Sequence, residues 1–217
     1  MLKKADPTDG DPQDLRRRTG AERIYFGVLA AGLLLILAAS LPGHMTTDSV
    51  IQLAEGRSGV QRSFNPAFMS WLLGKFDSVL SGTALFVTFN MVLFFGALAA
   101  LPGLARRAHG LAALVLLAVI ATPQVAIYQG IVWKDVFFAN AAIAGTVLMA
   151  ISVDPATGQS GRRTAWSFGL ALLVVAALVR QNGVLALGAA ALGVGLAAGS
   201  RQGSEMCIRD RPWPWSG

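Results

Sequence analysis

Asp48, Lys134, Asp135 and Arg180 are the residues of this chain whose types and settings could do chemistry. They are isolated polar points in a sequence that is 54% hydrophobic and 14% charged. A carboxylate is a candidate for taking the proton of a hydroxyl group. An ammonium and a guanidinium are candidates for holding an oxyanion, and the planar fork of arginine matches two phosphate oxygens at once. Thr46-Thr47-Asp48-Ser49 predicts a helix start, with a threonine hydroxyl as cap and Asp48 favoured by the positive end of the helix dipole. Within that helix Asp48, Gln52 and Glu55 fall at i, i+4 and i+7 and share a face, with Val50, Ile51, Leu53 and Ala54 as the apolar flank. The same spacing also fits an acid that does no more than cap a surface helix.

Lys134 and Asp135 open an apolar block. As anchors they would be a snorkelling lysine and a dipole-favoured acid. As site residues, Lys134 would meet a phosphate and Asp135 would position it. Arg180, followed by Gln181 and Asn182, lies between two apolar blocks joined by no real loop. Its charge is therefore held close to the bilayer, where ionisable groups are costly: it either snorkels to the interface or, with Gln181 and Asn182, serves a site. His44, Arg57 and Arg62 are supporting candidates. The chain has no phosphate-cradling glycine loop, nucleophile elbow or histidine pair at zinc spacing. No metal ligand set or cofactor is assigned, and one acid by itself does not decide for or against a divalent metal.

The elements that must position these residues follow from the apolar blocks. About 20 apolar residues span the ~30 Å hydrocarbon core as a helix. The predicted fold class is an all-α polytopic membrane protein with about six spans, at 24–41, 82–101, 111–127, 136–151, 165–179 and 183–199. Segment 66–80 is apolar but interrupted by Lys75 and Asp77, which predicts a helix lying in the interface. Glycines 169 to 199 predict close helix packing, for example at Gly188, Gly193 and Gly195. The net charge of +6 is not a nucleic-acid signal, because its cations sit in short segments between spans. The basic N-terminal tail, Arg106–Arg107, Arg162–Arg163 (in a predicted loop, 154–164) and Arg201 all fall on one side, which the positive-inside rule makes cytoplasmic. Segments 44–65, 129–135 and 180–182 then share the opposite side, the periplasm of a bacterial inner membrane.

Three regions result: a basic cytoplasmic tail at 1–23, a membrane domain at 24–202 and a tail at 203–217. The run GSEMCIRDR in that tail reads as a translated sequencing adapter and holds Cys207, the sole cysteine, so no thiol chemistry is inferred. The natural sequence is expected to continue past Gln202.

The stretch TTDSVIQLAEGRSGVQRSFNPAFMSWLL, with WKDVFFA at 133–139 and RQNG at 180–183, resembles the polytopic GT-C glycosyltransferases, which use polyprenyl-phosphate sugars. In that resemblance Asp48 matches the catalytic acid, Gln52 the polar residue one turn on, and Asn65–Pro66 the place where His-Pro is common. It implies a membrane glycosyltransferase that moves a sugar, with inversion, from a polyprenyl-phosphate donor to a periplasmic acceptor. Asp48 would be the general base, and Gln52, Lys134, Asp135, Arg180, Gln181 and Asn182 the substrate-binding set. The implied partners are the lipid-linked sugar, the bilayer and an acceptor whose identity the sequence does not encode; nucleic acid is not among them. Asn65 departs from the family histidine. Two other readings accommodate the same polar residues: a transporter or flippase-like protein binding an anion, and a non-catalytic membrane subunit.

Overall fold

Apolar blocks of this length have one low-cost conformation in lipid, the helix, because it satisfies every backbone amide internally. The computed structural model describes residues 12–104, 118–120, 122–180, 184–185, 187–193 and 195–196. Its elements are α1 (Pro12–Ser40), β1 (His44–Met45), α2 (Thr47–Ser58), α3 (Ala67–Val79), α4 (Ala84–Leu104), α5 (Pro123–Gln129), β2 (Ile131–Val132), α6 (Lys134–Val153) and α7 (Gln159–Val179). Four stretches are long and apolar enough to cross a membrane: Glu22–Ser40, Ala84–Leu101, Lys134–Val153 and Gln159–Val179. Only 28–39% of each is buried inside the protein. Leu34, Leu35, Phe168 and Leu178 point outward, as on a surface meant for hydrocarbon.

Four spans thus stand among the described residues where about six are expected. About half of the predicted third span and part of the sixth lie outside them, as do Gln181, Asn182, Arg106–Arg107, His109, Arg201 and the tail at 203–217. Two boundaries need correction. The third span does not run unbroken to Ile127: the chain bends at Thr122 and restarts as α5 with Pro123 in its first turn. Proline lacks the amide that a continuous helix needs there. Arg162 and Arg163 are not in a loop but in the opening turns of α7, where the Arg162 Nε donates to the Ser152 carbonyl at 2.9 Å. Segment 66–80 forms the 13-residue α3, which is too short to cross a membrane as a helix.

The core gathers Tyr25, Leu29, Phe86, Met91, Phe94, Phe137 and Val179 from α1, α4, α6 and α7. Tyr25 tethers α1 to α4 by donating to the Leu98 carbonyl at 2.5 Å. Two helix pairs cross backbone on backbone. A Cβ at Gly145 in α6 would lie 3.0 Å from the Gly169 carbonyl in α7, so Gly169 is the packing glycine of its region. Gly188, Gly193 and Gly195 have no such neighbour among the described residues. In the second crossing, a Cβ at Gly56 in α2 would run into the Ser70 carbonyl of α3, and one at Gly74 would sit 2.5 Å from the Gly56 carbonyl.

Candidate functional site

The candidate residues are brought together by a very short structure. β1 and β2 pair in parallel, His44 with Ile131 and Met45 with Val132. This ladder joins the end of α1 to the start of α6, although α2 to α5 all intervene in sequence. Two glycines make the joint possible. A Cβ on Gly130 would lie 2.5 Å from the Ser40 Oγ at the end of α1. Gly43 supplies the turn from α1 into β1: its φ is +116°, and a Cβ there would lie 2.7 Å from the Val87 side chain. Ser49 in the first turn of α2 donates to the Val132 carbonyl, which ties α2 to β2. Thr46 is the α2 cap, its Oγ1 accepting from the Ser49 amide at 3.3 Å.

On this frame Asp48 stands at the open rim of α2, with its side chain 52% exposed. Lys134, first residue of α6, donates to the Asn65 Oδ1 at 2.9 Å and lies 3.9 Å from the Asp48 Oδ2. Asp135, expected to position Lys134, binds Arg180 instead: the Arg180 Nη1 donates to its Oδ1 at 2.5 Å. Arg180 is the C-cap of α7, where the backbone turns extended, and its guanidinium lies 6.0 Å from the Phe138 ring centre. The C-terminal ends of α1 and α7 and the N-terminal ends of α4 and α6 therefore meet at one end of the bundle. There, acids and cations form two neighbouring pairs, Asp48 with Lys134 and Asp135 with Arg180. An ammonium has three donors and a guanidinium five, so both cations keep N–H groups for an incoming oxyanion.

The inner face of α2 is not what its apolar pattern predicts. Ser49, Gln52 and Glu55 are buried with Leu53, whereas Val50, Ile51 and Ala54 are exposed. Gln52 is 1% exposed and its Nε2 has no hydrogen-bond partner among the described residues, so it lies beneath the rim and not on it. Glu55 grips the following loop: Oε1 accepts from the amides of Arg62 at 2.8 Å and Ser63 at 2.6 Å, and Oε2 accepts from the Ser70 hydroxyl at 2.9 Å. Burial pushes the Glu55 carboxyl up, but the amides and the serine hydroxyls outweigh it and hold the group below the ordinary carboxylate range. Arg57 is committed to Asp77 through two hydrogen bonds of 2.9 and 2.6 Å. With the Gly82 amide, it lowers the Asp77 carboxyl to about 2.

Below the rim, Asn140 of α6 joins Asn90 of α4 and Gln129 of α5. Its Nδ2 donates to the Asn90 Oδ1 and the Gln129 Oε1, both at 2.9 Å, and its Oδ1 accepts from the Gln129 Nε2 at 3.1 Å. Sequence reasoning misses these amides, the tie made by Ser49 and the partnership of Asn65 with Lys134. A polar side chain inside an apolar span is the available signal for Asn90 and Asn140. Among the described residues no group of three or more His, Cys, Asp or Glu is placed to hold a metal ion. No family model matches the chain, and no curated protein or solved structure matches it significantly.

Proposed function

We propose that this chain is a GT-C-like membrane glycosyltransferase acting on a polyprenyl-phosphate sugar. The observation that carries the reading is the half-exposed Asp48 carboxylate with the Lys134 ammonium 3.9 Å away, beside the Asp135–Arg180 pair. A sugar on a lipid phosphate already has a good leaving group, so the reaction needs a base for the acceptor and cations for the departing phosphate. Asp48 takes the proton of the acceptor hydroxyl as its oxygen bonds to the anomeric carbon. The bond from that carbon to the phosphate oxygen breaks, and its electron pair leaves with the lipid phosphate. Lys134 and Arg180 hold the growing negative charge, and attack opposite the phosphate inverts the anomeric centre. The outward apolar faces of the spans suit a prenyl tail.

The test is glycosyl transfer from polyprenyl-phosphate sugars in membranes carrying the protein or its Asp48→Asn variant at matched abundance. Transfer lost by at least about a hundredfold, with normal insertion, is the expected result for a lost general base. Unchanged transfer removes Asp48 from the chemistry and with it this reading.

A further inference from the structure

We propose that Asn65 is a positioning residue that keeps the Lys134 ammonium off Asp48 and available to phosphate; this rests on the glycosyltransferase reading above. The Lys134 Nζ is 2.9 Å from the Asn65 Oδ1 but 3.9 Å from the Asp48 Oδ2. A neutral acceptor therefore holds the ammonium nearer than the carboxylate does. Without it, the carboxylate is the strongest acceptor within reach, and a full contact between the two would occupy both the base and the phosphate partner.

Asn65 is itself held in place through backbone atoms. The Gln61 Nε2 donates to its carbonyl at 2.7 Å, and its amide donates to the Ser63 Oγ at 3.3 Å. The Ser63 amide is in turn bound by the buried Glu55. Pro66 follows as the N-cap residue of α3 and restricts Asn65 to extended conformations. The loop is thus built by main-chain bonds, and the Asn65 side chain is left for Lys134. Replacing that side chain leaves the loop's own hydrogen bonds in place, so function and folding separate at this residue.

The experiment measures transfer kinetics of Asn65→Ala, Asn65→Asp, Lys134→Ala and the Asn65→Ala/Lys134→Ala double variant in membranes, alongside Asp48→Asn. Asn65→Ala is expected to lower kcat/KM about tenfold or more, the worth of a hydrogen bond to a charged group. Asn65→Asp is expected not to restore that loss, because a carboxylate on the ammonium occupies the phosphate partner just as Asp48 would. In the Lys134→Ala background, Asn65→Ala is expected to change nothing further, because it acts only through the lysine. An equal loss with and without Lys134, or no loss in Asn65→Ala, overturns the proposal while a dead Asp48→Asn variant leaves the glycosyltransferase reading standing. Transfer that survives Asp48→Asn overturns both.

Discussion

Gly56→Ala should separate α2 from α3 and loosen the platform that carries Asp48. The new methyl would collide with the Ser70 carbonyl and lie 2.8 Å from the Gly74 amide nitrogen, both backbone atoms that no rotamer change can move. Ordinary contact begins at 3.4 Å, so the Gly74 nitrogen by itself requires about 0.6 Å of separation and the nearer Ser70 carbonyl requires more. Such a shift stretches the 2.9 Å bond from Ser70 to Glu55 and strains the Arg57–Asp77 pair, which bridge the same two helices. Overpacking against a rigid neighbour costs about 1–3 kcal/mol. The assay is hydrogen exchange of amides 49–80 in micelles, with thermal unfolding beside it. Protection in α2 and α3 should fall about thirtyfold, the middle of that range, since about 1.4 kcal/mol is a factor of ten in opening. Gly96→Ala is the control: a Cβ there meets nothing among the described residues, and the change should be neutral or stabilise by about 0.5–1 kcal/mol. Unchanged protection in Gly56→Ala would refute the backbone-on-backbone crossing.

Asn140→Ala strands the amides of Asn90 and Gln129 in the bundle and should destabilise the protein by about 1–3 kcal/mol, read as a lower unfolding temperature in micelles. The Asp77 carboxyl is lowered to about 2 by Arg57 and the Gly82 amide. A depressed carboxyl stabilises above its unfolded value of about 3.9 and loses that contribution as pH falls through its folded value. Unfolding temperature should therefore drop as pH is lowered across that window, and Asp77→Asn should flatten the drop. Arg180→Gln removes the partner of Asp135 and one of the two cations described at the rim; on the glycosyltransferase reading, where Arg180 holds the charge growing on the departing phosphate, kcat should fall several-fold more than donor KM rises, measured by transfer kinetics.

The membrane-crossing blocks at α1, α4, α6 and α7 were legible because hydrocarbon imposes a single requirement, a long apolar run with its amides paired internally. A threonine cap on α2 and a helix at 66–80 that does not cross were legible for similarly local reasons: a hydroxyl beside free amides, and an apolar run interrupted by Lys75 and Asp77. The missing amide of proline is the signal for the break at Pro123. Arg162 and Arg163 carry no matching signal of helix, because charge does not prevent a helix from extending beyond the lipid. Nothing local marks the two-residue β1–β2 ladder, since pairs this short have no periodicity, yet that ladder sets Lys134 beside Asp48. Gly56 and Gly74 look like ordinary helix interruptions until the opposing backbone is known. The exchange of partners, with Asn65 on Lys134 and Asp135 on Arg180, depended on where three separate helices begin and end. Composition and local pattern determined which runs are long and apolar enough to cross a membrane and which polar residues bound them. The tertiary structure alone decided which edge residues meet, because contact between distant segments depends on packing distances that no neighbouring residue encodes.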